Sequence, residues 1–138
     1  MIFFLALAAG CAGKPSAPQP QAAASAPVQK APDEDAAIAA IAAVNAAQKV
    51  YLARYRRYAL NYEELMQGVF LKEEPVPEKT GYEIKLRPSA DAARYTIAAA
   101  PATPSPTARY FFSDQTGDIR AELGKAANAQ SPTITLPH

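Results

Sequence analysis

The sequence has little of what most catalytic and metal-binding sites require. Its 138 residues include no tryptophan, one cysteine and one histidine, which are Cys11 and His138. A single cysteine cannot form a disulfide within the chain. A single histidine leaves almost no basis for histidine general-base chemistry or for a zinc site built from His and Cys ligands. We therefore expect no catalytic residues, no metal site, no cofactor and no enzyme activity.

The charges of the chain nearly balance. Fourteen Lys and Arg residues stand against thirteen Asp and Glu residues, so the net charge is +1. A charge this small gives no strong attraction to nucleic acid or to an anionic membrane surface. Phosphate-binding loops and nucleophile elbows have no counterpart in the sequence either. We expect neither nucleic acid nor a small-molecule substrate among the partners.

The apolar run at the start of the chain is too short to cross a bilayer. Residues 2–9 are apolar without interruption, and Gly10 and Cys11 follow them. A membrane-spanning helix needs about 20 such residues, whereas a run of this length suits the apolar part of a secretory signal. We therefore predict that residues 1–10 are a signal peptide.

The residues around the lone cysteine, Ala8-Ala9-Gly10-Cys11, resemble the lipobox of bacterial lipoproteins. In that family the signal is cut before the cysteine, and the cysteine thiol carries a diacylglycerol. The resemblance implies that Cys11 is lipidated and binds the protein to a membrane. Because Ala12 follows rather than aspartate, it also implies an outer-membrane protein facing the periplasm or the cell surface. The alternative is a plain secretory signal in which Cys11 has no role.

Residues 11–32 are predicted to form a tether behind that cysteine. Five prolines lie between Lys14 and Asp33, and Val28 is the only bulky apolar residue there. Such a segment buries too little apolar surface to offset the entropy of ordering it. The segment either spaces a domain from the membrane or is a disordered leader that has no role. The domain is expected at residues 33–123, and residues 124–138 are expected to be a flexible tail in which residues 133–136 could add a marginal edge strand.

The first part of the domain has helical periodicity. No Gly or Pro occurs from Ala36 to Arg57, which predicts a helix at about 35–57 with Asp33 or Asp35 as its cap. A second, short helix is predicted from Asn61 to Gly68, and residues 73–79 are predicted to be a loop. The apolar stripe of the long helix is expected at Ile38, Ile41, Val44, Gln48, Tyr51, Leu52, Tyr55 and Tyr58.

The second part of the domain alternates with the period of strands. Two strands are indicated by Tyr82, Ile84 and Leu86, and by Tyr95, Ile97 and Ala99. The segment RYFFSDQTGDIR, residues 109–120, is predicted to be a hairpin with Gly117 in the left-handed region. Its core face is expected to carry Tyr110 and Phe112. The long helix covers about four antiparallel strands in this prediction, which is a two-layer α+β domain.

Parts of both halves resemble the globular part of bacterial type IV pilin-like proteins. The resemblance covers roughly residues 37–122 and implies a long helix packed on an antiparallel sheet. It is carried by residues 44–48, Tyr51, Tyr55, residues 57–59, Leu65, Gly81, Tyr82, residues 95–101 and residues 110–120.

The resemblance does not include the part of a pilin that builds the filament. A prepilin cleavage site, the unbroken apolar helix behind it and the cysteine pair of many pilin heads have no match. We therefore predict a membrane-anchored envelope lipoprotein with a pilin-like domain and a non-catalytic structural or interaction role. Pilus or secretion-system proteins are its expected partners. The alternative is a minor pilin or pseudopilin subunit of a type IV pilus or type II secretion system.

Three features could form a binding surface. Arg54, Arg56 and Arg57 are a possible polyanion-binding cluster, or simply a solvated helix end. The seven tyrosines could be a stacking surface, but their spacing favours a core with hydroxyls at its rim. The loops at 73–79 and 101–108 are the expected places for partner contacts. The clustered carboxylates at 33–35 and 63–64 are interpreted as helix starts, and Ser113 beside Asp114 as a turn residue.

Overall fold

The computed structural model describes residues 31–135 of the chain. In this part three helices, α1 (Glu34–Tyr55), α2 (Tyr62–Gln67) and α3 (Pro77–Thr80), precede four strands. The strands are β1 (Tyr82–Pro88), β2 (Tyr95–Pro101), β3 (Arg109–Asp114) and β4 (Ile119–Leu123). They form one antiparallel sheet in the order β1-β2-β3-β4. The predicted α+β fold is confirmed, whereas the signal peptide, Cys11 and most of the tether lie outside the described residues.

Helix α1 begins where it was predicted and ends earlier. The Asp33 carboxylate accepts a hydrogen bond from the Ala36 N–H at 3.0 Å, so Asp33 is the cap. At the other end Arg56 adopts a left-handed conformation with φ 60°, and its N–H donates to the Leu52 carbonyl. This turn stops the helix at Tyr55, two residues before the approximate end that was predicted.

The short helices differ in part from their prediction. The Asn61 side chain accepts from the Glu64 N–H at 2.8 Å and caps α2 as predicted. Gly68 ends this helix with an ordinary φ of −78°, and the left-handed residue is Val69 with φ 60°. A Cβ on Gly68 would lie 2.1 Å from the Phe70 ring, so glycine is needed there for space. The predicted loop at 73–79 is wrong from residue 77 onward, because Pro77 begins α3.

The core lies between α1 and one face of the sheet. Within α1 its buried members include Ala37, Ile41, Val44, Ala47 and Tyr51. The predicted stripe is therefore correct in its centre, but Tyr55 is 47% exposed because the helix ends there. The largest fully buried side chains of the sheet are Tyr82, Tyr95, Ile97 and Phe111.

Strand β3 presents the opposite face to the one predicted. Phe111 and Ser113 are buried, and Tyr110 and Phe112 lie on the other side of the sheet, partly exposed. Ala99 is a buried residue and is the register partner of Phe111. Directly opposite residues share a face of the sheet, so Phe111 follows Ala99 into the core. The hairpin turn is confirmed, since Gly117 has φ 86° and donates its N–H to the Asp114 carbonyl at 2.9 Å.

The C-terminal residues make contact with the last strand. The Ala121 N–H donates to the Pro132 carbonyl at 3.0 Å, and the Ile134 N–H donates to the Ile119 carbonyl at 2.8 Å. Ser131 is buried as well. The tail expected to be flexible after Gly124 is thus held against β4 at residues 131–134. The marginal edge strand predicted at residues 133–136 is represented among the described residues by an isolated bridge between Arg120 and Thr133.

Helix α1 is long and apolar enough to cross a membrane by length and composition alone. Core helices of soluble proteins and signal sequences can meet the same criterion. In this fold the buried side chains of α1 pack in the same core as those of the sheet, so one face of the helix is already occupied by protein.

The Tyr82 hydroxyl is the one buried side-chain polar atom in residues 31–135 without a hydrogen-bond partner. Burial raises the pKa of Tyr82 to about 12, and the nearby Glu34 carboxylate adds to that shift. A buried polar group without a partner destabilises the folded state by about 1–3 kcal/mol. Removing that group while keeping the ring should therefore stabilise the protein.

We expect Tyr82→Phe to raise the free energy of unfolding by about 1 kcal/mol, measured by urea denaturation of the full chain. The matched control is Tyr95→Phe, because the Tyr95 hydroxyl donates to Asn45 Oδ1 at 2.8 Å and its loss should destabilise. A decrease for both variants would show that the Tyr82 hydroxyl has a partner in the folded protein.

Candidate functional site

Two buried polar side chains of α1 hold the rest of the domain to the helix. The first is Gln48, which has no exposed surface. Its Nε2 donates to the Ala59 carbonyl at 3.1 Å, and its Oε1 accepts from the Ala59 N–H at 2.8 Å. Ala59 is also fully buried, so this side chain satisfies both backbone groups of a residue in the chain reversal after α1.

The second is Asn45, one turn earlier on the same face. Its Nδ2 donates to Ser113 Oγ at 2.8 Å, and its Oδ1 accepts from the Tyr95 hydroxyl at 2.8 Å. Ser113 in turn donates to the Asp118 carbonyl at 2.8 Å. The network joins α1 to β2, to β3 and to the turn after β3. Both amide side chains therefore have a structural role, which their apolar surroundings in the sequence did not reveal.

The predicted polyanion cluster is divided in the structure. The Arg57 guanidinium donates to both carboxylate oxygens of Glu64, at 3.0 and 3.3 Å, and lies 5.3 Å from the centre of the Tyr51 ring. Arg54 and Arg56 are exposed and make no ion pair within the described part of the chain. The charge of Arg57 is thus neutralised locally. Arg54 lies 5.7 Å from the centre of the Tyr55 ring, so the three arginines have different surroundings.

The Arg57–Glu64 pair sets the electrostatics of this corner. The hydrogen bond from Arg57 is the main cause that holds the pKa of Glu64 below its usual range. Burial raises the pKa of Tyr51, and its hydrogen bond to the Glu64 carboxylate adds to the effect. Glu64 also accepts from the Leu60 N–H at 3.0 Å. These contacts fix the reversal between α1 and α2, which agrees with the interpretation of Glu64 as part of a helix start.

Two clefts border the segment that links α2 to β1. One has a volume of about 640 Å³ and lies between the alanines of α1, Ala39 and Ala43 among them, and residues 70–75. The other has a volume of about 450 Å³ and lies between β1 and the wall formed by Tyr62 and residues 74–77. The segment 73–79, expected to contact partners, lines both clefts, and the segment 101–108 lines neither.

The acidic residues are dispersed in the fold. Asp33 caps α1, and Glu34 lies 3.6 Å from the Arg109 guanidinium. Glu63 accepts a hydrogen bond from Gln67 on the exposed side of α2. Across residues 31–135, no three His, Cys, Asp or Glu side chains lie close enough to hold a metal ion.

Comparisons of this chain with protein-family models, with curated proteins and with solved structures give no match. The chemistry and placement of the residues therefore remain as the basis for inferring a function.

Proposed function

We propose that the protein is a membrane-anchored lipoprotein of the bacterial envelope, with a pilin-like domain in a non-catalytic structural or interaction role. The observation that carries this proposal is the order of three segments. A short apolar run ends in small residues and Cys11, a proline- and alanine-rich segment follows, and the folded domain starts at Asp33. Acyl chains on Cys11 would anchor the protein firmly, because each buried methylene contributes about 0.8 kcal/mol.

The arrangement of the domain supports an interaction role at a distance from the anchor. Asp33, the N-cap residue of α1, is held by a hydrogen bond from its N–H to the Thr80 carbonyl at 2.9 Å. The segment from Lys14 to Pro32 would reach on the order of 50 Å if it were extended by its prolines. The domain could then contact pilus or secretion-system proteins while its anchor stays in the outer membrane.

The experiment is metabolic labelling with a palmitate analogue in a Gram-negative host, followed by membrane fractionation. We expect the wild-type chain to be labelled and to require detergent for release. The Cys11→Ser variant should be unlabelled and soluble in the periplasm, because it lacks the thiol that receives the diacylglycerol. Label on the variant, or an unlabelled wild-type chain in the soluble fraction, would contradict the anchor.

A minor pilin or pseudopilin is the second candidate. It is favoured by α1, which is apolar, precedes the sheet in the chain and satisfies the length criterion for a membrane helix. This role predicts that the chain is found in sheared filaments, independently of Cys11. Recovery in filaments of both the wild type and Cys11→Ser would favour it over the anchored lipoprotein.

A further inference from the structure

The two edge strands of the sheet differ in whether another part of the chain bonds to their outer backbone groups. The edge at β4 is covered, because backbone groups of Ile119 and Ala121 bond to residues 132–134. The edge at β1 has no strand beside it within residues 31–135. An uncovered edge strand presents backbone donors and acceptors that can pair with another extended chain.

The direction of the backbone groups of β1 follows from its two ends. The Gly81 carbonyl accepts from the Ala102 N–H, and the Ser89 N–H donates to the Arg94 carbonyl, each at 2.9 Å. The backbone N–H and C=O groups of odd-numbered residues of β1 therefore point toward β2. Because these groups alternate along an antiparallel strand, the backbone groups of Ile84 and Leu86 point away from β2, toward the open edge.

Part of this outward row is already bonded. Thr80 Oγ1 accepts from the Tyr82 N–H and donates to the Tyr82 carbonyl, both at 3.1 Å. The Tyr62 hydroxyl donates to the Ile84 carbonyl at 3.0 Å. Within residues 31–135 the Ile84 N–H, the Leu86 N–H and the Leu86 carbonyl have no such partner. They lie along the 450 Å³ cleft between β1 and residues 74–77.

The charges beside this row distinguish between possible occupants. Lys85 and Arg87 are exposed on the outer face of β1. Lys85 Nζ lies 3.0 Å from a carboxylate oxygen of Glu83 on the same face, in an ion pair whose two side chains are both more than half exposed. Such exposed pairs contribute little and can be replaced by a partner's carboxylate, and Arg87 has no ion pair among the described residues. A second copy paired antiparallel with Leu86 opposite Leu86 would place Lys85 opposite Arg87 on both sides. Like charges directly opposite are unfavourable, so the edge resists pairing with itself in this register.

We propose that β1 binds an extended acidic segment of a partner protein as an added strand at residues 84–87. The partner residue opposite Leu86 would be apolar and would exchange two backbone hydrogen bonds with it. The residues on either side would be acidic and would face Lys85 and Arg87. This proposal rests on the interaction role proposed above and names the chemistry of the partner.

The test uses the full chain and an acetylated peptide of alternating aspartate and valine. We expect peptide binding to slow hydrogen exchange of the Ile84 and Leu86 amides by about tenfold when the peptide is at ten times its Kd. The same peptide with its central valine replaced by proline should bind more weakly, because it lacks the N–H that donates to Leu86. Peptide binding without added protection of these amides would overturn the proposal.

Reversing the charges of β1 tests whether the acidic peptide binds at this strand or is attracted nonspecifically by positive charge. The double variant Lys85→Glu, Arg87→Glu should prefer a lysine–valine peptide to the aspartate–valine peptide. The matched control, Arg54→Glu, Arg56→Glu, changes the net charge equally at exposed positions of α1's end and should keep the original preference. An unchanged preference in the first variant, or a reversed one in the control, would overturn the proposal. Because none of these measurements depends on Cys11, their failure is distinguishable from failure of the lipoprotein assignment.

Discussion

Replacing Gln48 by alanine is expected to lower the free energy of unfolding by about 3–5 kcal/mol. The side chain is the sole hydrogen-bond partner in the described structure for both backbone groups of Ala59. Each buried group left without a partner costs about 1–3 kcal/mol, and the lost side-chain volume adds a cavity. Small domains have a total stability of about 5–15 kcal/mol, so this variant should unfold at a much lower urea concentration.

Two further variants identify the cause of that loss. Gln48→Met keeps most of the volume and removes the hydrogen bonds, and we expect it to lose about 2–4 kcal/mol. Gln67→Ala removes an exposed glutamine that bonds Glu63, and should change stability by less than about 0.5 kcal/mol. A loss below about 1 kcal/mol for Gln48→Met would mean that water can satisfy Ala59.

Replacing Asn45 by alanine is expected to lower the free energy of unfolding by about 2–4 kcal/mol. The Tyr95 hydroxyl would lose its acceptor and Ser113 Oγ would lose a donor, both in the core. Ser113 keeps its bond to the Asp118 carbonyl, so the predicted loss is smaller than at Gln48. Equilibrium urea denaturation monitored by tyrosine fluorescence and circular dichroism measures it.

A double-mutant cycle with Tyr95→Phe tests whether the loss comes from this network. In the Tyr95→Phe background there is no Tyr95 hydroxyl that could lose its acceptor. Asn45→Ala should therefore be less destabilising in that background by about 1–2 kcal/mol. Additive losses would contradict the network, since residues that share a hydrogen bond are expected to couple.

The elements of the fold could be predicted because their periodicity is strong. Alanine-rich sequence without Gly or Pro from residue 36 onward fits only a helix, and the alternation of Tyr82, Ile84 and Leu86 with charged residues fits a strand with one buried face. The face of β3 could not be predicted in this way. Residues 110–112 are all aromatic, so alternation gives no direction there, and the register with Ala99 decides it.

Contacts between segments on either side of a chain reversal could not be predicted from the periodicity of the sequence either. Arg57 and Glu64 are seven residues apart and belong to different segments, so no helical spacing connects them. Their pairing follows from the left-handed turn at Arg56, a conformation for which an arginine gives no signal. The open edge of β1 could not be predicted either, because only the strand order of the folded sheet shows which strands lie at its edges.

The strand order also has a consequence for the kinetics of folding. Each strand pairs with its neighbour in sequence, so every hairpin closes over a short loop and loses little chain entropy. The contacts of Asn45 are different, because they span 50 residues to Tyr95 and 68 residues to Ser113. Docking of α1 closes the longest loops and is expected to follow sheet formation. The energy of the Asn45 network should then slow unfolding more than it speeds folding.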